Sequence, residues 1–213
     1  MEPRTPHRLG DDVVPSAYVI DVDTDLEGGS FSGSVSIDAE VRRATDTIVC
    51  NAADLTVTAA QVRVGDRAVA AEWALDADAE RLTLTVPEEL APGPIVIDVT
   101  FGGAFNDQLV GYYRSSYEVD GRTQYLAVTQ FEAAHARRAF PCWDEPAFKA
   151  TYEVRLTCDA GLLAVSNSTE TARHTLDDGR LRYEFAPTMV MSTYLVAWVI
   201  GDLEVSESVP AGS

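Results

Sequence analysis

Tyr18-Val19-Ile20-Asp21-Val22-Asp23-Thr24, a Gly28-Gly29 turn, then Phe31-Ser32-Gly33-Ser34-Val35-Ser36-Ile37-Asp38-Ala39-Glu40-Val41: this stretch decides the fold. Apolar and polar side chains alternate with a period of two in both runs. That period belongs to a strand with one face buried and one face in water. In the second run Phe31, Gly33, Val35, Ile37, Ala39 and Val41 share a face. The glycine pair between the runs supplies the turn of an antiparallel hairpin.

The same signal continues outward along the chain. Residues 46–52 read as a short strand, and residues 55–64 and 67–71 flank Gly65-Asp66 as a hairpin. Residues 81–86 precede Pro87, and residues 95–101 follow Pro92-Gly93-Pro94. An irregular region is expected over residues 102–122, with Tyr112, Tyr113, Arg114 and Tyr117 as a loop against a sheet edge or as the wall of a cleft. Strands are expected again over residues 150–157 and 162–166, and over 181–185 after the Asp177-Asp178-Gly179-Arg180 turn, and then over 193–200. Strands at this spacing, with turn residues between them, are the pattern of an all-β fold: two or more antiparallel sheets packed as a sandwich. No amphipathic helix is expected beyond a turn or two within residues 133–140, before Pro141. The chain reads as one domain over residues 1–213, long enough to bury a sizeable core.

Composition narrows the function classes. Thirty-four acidic residues against sixteen Lys and Arg give a net charge of −18. Nucleic acid and anionic membrane surfaces need basic patches, so neither is expected as a partner. Cys50, Cys142 and Cys158 are too few and too scattered for a disulfide framework and read as free thiols. Residues 1–7 lack the apolar core of a signal peptide. The longest apolar run, residues 189–200, is broken by Ser192 and Thr193 and falls short of the roughly 20 residues a membrane helix needs. These features point to the cytoplasm. The closing Pro210-Ala211-Gly212-Ser213 has the look of a truncation point.

One segment does not fit a plain sandwich strand. Thr129-Gln130-Phe131-Glu132-Ala133-Ala134-His135-Ala136-Arg137-Arg138-Ala139-Phe140-Pro141-Cys142-Trp143-Asp144-Glu145-Pro146 gathers charges, aromatic rings, two prolines and a cysteine. Gln130 and Glu132 stand two apart, so on a strand both side chains leave the same face. A carboxylate beside a carboxamide suits a primary amine, through charge-assisted and neutral acceptors. An ion pair from Glu132 to Arg137 or Arg138 is the plainer alternative. Cys142 beside the two arginines is either a reactive thiol or a buried packing residue.

The segment resembles the signature of the aminopeptidase N family of zinc metallopeptidases, in the order Thr-Gln-x-Glu, Ala-Arg-Arg, Phe-Pro-Cys-x-Asp-Glu-Pro. Gly111-Tyr112-Tyr113-Arg114-Ser115-Ser116-Tyr117, Phe31-Ser32-Gly33-Ser34-Val35-Ser36-Ile37 and Met191-Ser192-Thr193-Tyr194-Leu195 are similar to further blocks of that family, in family order. The resemblance implies the saddle-shaped amino-terminal β domain, which in the family lies over the zinc domain and closes one side of the cleft. It implies removal of single residues from peptide amino termini, with Gln130 and Glu132 binding the substrate's free amine. Arg137, Arg138, Asp144 and Glu145 also match the family pattern and, as opposite charges in a short segment that turns twice, are expected to hold Glu132 in place.

The family's His-Glu-x-x-His helix has no counterpart here. His7, His135 and His174 are the histidines of the chain, and none is four residues from another. A zinc site of that type needs two histidines on one helical face. No catalytic residue and no metal ligand is therefore expected in this chain, and zinc is expected only in the parent enzyme. The expected partners are a peptide amino terminus and a catalytic zinc domain in the same or a partner chain. A free-standing β-sandwich binding module and one chain of a split aminopeptidase are the alternatives. Apolar neighbours of the site, Leu126, Val128, Tyr112 and Tyr113, are expected on an uncovered interface.

Overall fold

The structure is a computed structural model that describes residues 8–206. The expectations for residues 1–7 and 210–213 lie outside the described residues. Fifteen strands are described: β1 (Val13–Asp25), β2 (Ser30–Val41), β3 (Thr45–Asn51), β4 (Leu55–Val64), β5 (Arg67–Ala70), β6 (Glu72–Asp76), β7 (Arg81–Leu90), β8 (Gly93–Ala104), β9 (Gly111–Val119), β10 (Arg122–Gln130), β11 (Thr151–Cys158), β12 (Leu163–Ser166), β13 (Glu170–Thr175), β14 (Leu181–Phe185) and β15 (Trp198–Gly201). Two single turns of 3₁₀ helix, Ala136–Arg138 and Thr193–Leu195, complete the described elements.

Three sheets form. The large one runs β13-β14-β11-β1-β2-β8-β4-β5, a second runs β12-β15-β10-β9, and a small one runs β3-β7-β6. The sandwich reading holds, with one departure from antiparallel pairing. β1 pairs parallel with β11, from Ala17 opposite Thr151 to Asp23 opposite Thr157. On its other edge β1 pairs antiparallel with β2 through the hairpin read from the sequence.

The alternation in β2 buries Phe31, Val35, Ile37, Ala39 and Val41. Gly33 has a separate reason to be glycine: a Cβ there would lie 2.2 Å from the Asp21 carbonyl oxygen on β1. β1 buries Tyr18, Ile20 and Val22 against the same core.

Where reading and structure differ, local physics explains it. β7 continues through Pro87 to Leu90, because the ladder with β3 shifts register there: Thr47 faces Thr85 while Thr45 faces Leu90. A proline lacks a ladder donor and is tolerated at such a bulge. β6 was not expected: it is five residues long at the edge of the small sheet, and its apolar face, Trp73 and Leu75, stays exposed. β13 escaped because it carries no large apolar side chain; it is exposed except at half-buried Ala172. β9 occupies part of the region expected to be irregular, and it runs from a fully buried end at Tyr112 to a polar end. The strand expected over 193–200 is a 3₁₀ turn followed by β15.

An aromatic cluster joins the sheets. Phe31 of β2 meets Tyr112 of β9 at 5.2 Å between ring centres, Tyr112 meets Trp198 of β15 at 5.3 Å, and Trp198 meets Phe131 at 5.5 Å. Phe131 in turn stands edge-on to Phe140 at 6.0 Å. Edge-to-face rings at these distances add directional energy to the area they bury. The cluster therefore anchors the chain on both sides of residues 132–139.

Candidate functional site

The site grows from the end of β10. Gln130 is its last residue, opposite Gly111 on β9, and its side chain is exposed. The expectation that Gln130 and Glu132 share a strand is corrected here: the strand stops at Gln130. Phe131 is buried at 2% exposure in the aromatic cluster. Glu132 opens the turn that follows and is exposed. The turn closes through His135 N–H donating to the Phe131 carbonyl at 2.9 Å. It then passes into the 3₁₀ turn Ala136–Arg138 and re-enters the core at Ala139 and Phe140.

Neither arginine pairs with Glu132. The Arg137 guanidinium bonds through Nε to Asp144 at 3.1 Å and through Nη1 to Glu80 at 3.0 Å. Arg138 reaches the other oxygen of Glu80 through Nη2 at 2.8 Å and also pairs with Asp54. Among the described residues, the Gln130 and Glu132 side chains form no hydrogen bond or ion pair. The Gln130 carboxamide and the Glu132 carboxylate are thus each left open to solvent.

Asp144 is the hub of the supporting network. It is buried, and it accepts hydrogen bonds from Thr193 Oγ1 at 2.8 Å, from Arg137 Nε and from the Arg137 backbone N–H at 3.3 Å. Its own backbone N–H donates to Asn51 Oδ1 at 3.1 Å. Asn51 and Cys142 exchange backbone hydrogen bonds at 2.8 and 3.0 Å, which ties the segment to the end of β3. Glu145 takes no part in this network; its carboxylate accepts from the Leu9 backbone N–H at 2.6 Å.

The remaining candidates resolve as packing. Cys142 is fully buried, and burial, with Asp144 and Cys50 nearby, pushes its thiol well above the ordinary range despite Arg137. A thiol held protonated is a poor nucleophile, so the packing alternative holds. Tyr112 is a core residue that shares a 2.8 Å hydrogen bond with Thr24, not part of an uncovered surface. Leu126, Val128 and Tyr113 are half-buried. The large exposed apolar side chains include Met189, Val190, Leu195 and Val165, and also Leu109, which stands two residues before Gly111, the partner of Gln130 across the ladder. Arg114 donates to the Leu26 and Glu27 carbonyls and lies 4.2 Å above the Tyr125 ring, so it fastens β9 to the β1–β2 turn.

Sequence reasoning missed Glu80, Asp54 and Asn51. Each is distant in sequence from the segment it serves, and nothing in the local composition marks them. Among the described residues no three His, Cys, Asp or Glu side chains converge as a metal site, and no helix is long and apolar enough to cross a membrane. The residues described do not fit a zinc ion.

The pattern of the peptidase M1 N-terminal domain matches residues 14–195. The chain is similar to aminopeptidase M1-C of Oryza sativa subsp. japonica, 42% identical over 205 residues, covering 95% of this chain and 23% of the relative. Aminopeptidase M1 of Arabidopsis thaliana is 41% identical over 208 residues, 94% of this chain and 23% of the relative. Aminopeptidase 2, mitochondrial, of Saccharomyces cerevisiae is 36% identical over 213 residues, 96% of this chain and 22% of the relative. The chain thus spans less than a quarter of the length of these curated relatives.

Proposed function

Since the chain belongs to the peptidase M1 family, through that family's amino-terminal domain, we propose that it serves a zinc-dependent aminopeptidase by binding the free amine of a peptide substrate at Gln130 and Glu132. Residues 1–213 act as one β domain that covers the active-site cleft, and the zinc-bearing catalytic domain lies outside this chain. On this reading the chain hydrolyses nothing alone. Bound zinc would supply a polarised substrate carbonyl and an activated water. This chain's residues would orient the amine, so that one residue projects past them toward the reacting bond.

One observation carries the proposal: Glu132 is exposed and uncompensated although two arginines follow it within six residues, both turned to other carboxylates. A carboxylate that ion-pairs internally has little left for a ligand. One with both oxygens free forms charge-assisted hydrogen bonds to an ammonium group. Gln130 adds a neutral acceptor and discriminates less. The three free cysteines are consistent with a reducing, cytoplasmic setting.

The test is titration of the chain with alanine amide and with N-acetylalanine amide, followed by backbone amide shifts around residues 130–135. Preference for the free amine, lost in Glu132→Gln and reduced in Gln130→Ala, is the expected result. Equal response to both compounds would refute the assignment.

A further inference from the structure

Glu80 lies at the tip of the β6–β7 hairpin, far in sequence from the candidate site. Its backbone has φ of +51°, the left-handed region that ordinary side chains avoid and that glycine or asparagine usually fills. Its carbonyl accepts from the Ala52 N–H at 3.1 Å and from Asn51 Nδ2 at 3.4 Å. Its two carboxylate oxygens go one to each arginine, 3.0 Å to Arg137 and 2.8 Å to Arg138. Arg138 has one further carboxylate, the mostly exposed Asp54, itself at φ of +56°. Behind Arg138, Gly111 has no Cβ; one placed there would stand 2.8 Å from the Arg138 Cβ. An unfavoured backbone conformation persists only where its surroundings over-determine it. At Glu80 the surroundings are the Ala52 and Asn51 donors on its carbonyl and the two guanidiniums on its carboxylate.

We infer that Glu80 is a positioning residue for amine binding: its carboxylate occupies both guanidiniums that follow Glu132, which fixes the turn and keeps the Glu132 carboxylate uncompensated. The inference rests on the assignment of Glu132 to the substrate amine. Without Glu80, Arg137 keeps Asp144, but Arg138 keeps only an exposed partner whose hold is screened by water. Arg138 then becomes available to nearby carboxylates, and the short 3₁₀ turn that carries it loses its outer tether. Glu80 touches neither substrate nor reacting atoms, so it acts only through the arginines.

The experiment uses the chain with Glu80→Gln, which keeps the shape of the side chain and removes its charge, and with Glu80→Asp, which keeps the charge on a shorter stem. Two readouts are taken: amide hydrogen exchange at His135, Arg138 and Ala139, and the preference for alanine amide over N-acetylalanine amide. Loss of a charge-assisted bond should speed exchange about tenfold in Glu80→Gln and lower the amine preference by a similar factor. Glu80→Asp should recover part of both, and it carries the test if Glu80→Gln does not fold. Unchanged exchange and unchanged preference in these variants overturn the inference. An original chain with no amine preference overturns the Glu132 assignment instead, and the exchange data then decide whether the clamp exists.

Discussion

Asp144→Ala should be the most damaging polar substitution in the segment, and its cost can be worked from the structure. The Asp144 side chain is 1% exposed and its partner Arg137 is 13% exposed. Removing one member of a buried pair typically costs about 3–5 kcal/mol, because the other charge stays buried. Arg137 keeps Glu80 at 3.0 Å, which offsets part of that loss. The Thr193 hydroxyl loses its acceptor at 2.8 Å, at about 1 kcal/mol or more if it finds no other. The terms overlap, so about 3 kcal/mol is the expected total. For a chain of this size that lowers Tm by about 6–12 °C and the urea midpoint by about 1 M with an unchanged slope. Asp144→Asn keeps the acceptor for Thr193 but not the charge, and should lose about half as much. Equilibrium urea unfolding of the three proteins is the assay. If Asp144→Ala stays within about 0.5 kcal/mol of the parent, as surface substitutions do, Asp144 is not the hub described here.

Gly33→Ala should destabilise by about 2–3 kcal/mol, since the added carbon would meet the Asp21 carbonyl at 2.2 Å and force β1 and β2 apart; chemical denaturation checks it. Burial pushes the Asp98 carboxyl up, but hydrogen bonds from Arg63, Ser36 and Gln61 outweigh burial and hold it below the usual range. Its contribution is therefore present above about pH 3.9 and lost as pH falls through the depressed value; the stability gap between the parent and Asp98→Asn should close on acidification and persist at neutral pH. The thiols behave in the opposite sense: burial pushes Cys50 up to about 12 and Cys158 up to about 11. Their stabilising effect is complete below about pH 8.5 and declines above it, and none of the three should react with an aromatic disulfide reagent at pH 8 until the chain is unfolded.

Much of the architecture was readable because burial writes itself into the period of the chain. β2 and β4 alternate plainly, and their bounds fall within a residue of those expected. β13 carries no such record and β6 only the short pair Trp73 and Leu75, which stays exposed; both are edge strands held mainly by ladder bonds. The candidate site was legible in its residues but not in its geometry. Gln130 and Glu132 stand out as candidates in the sequence, yet the pattern suggests a strand where a turn begins, because Phe131 looks the same in either setting. The choice between an internal ion pair and an open carboxylate could not be made from sequence. It depends on Glu80 and Asp54, which reach the arginines only after three sheets have come together.

The parallel pairing of β1 with β11 has a consequence for the order of assembly. β1 is synthesised well before β11 and can close its hairpin with β2 at once. Its other edge has no partner until residues 151–157 arrive, yet Ile20 and Val22 on that strand end fully buried. Until then the nascent chain presents a long, apolar, hydrogen-bond-hungry edge, the feature that invites pairing with a neighbouring molecule. Contacts so distant in sequence also make the last step slow. The acidic surface then has a second use: residues 1–150 carry 25 acidic side chains against 12 basic ones, −13 net, so two unfinished chains repel each other during the interval when they are most able to join edge to edge.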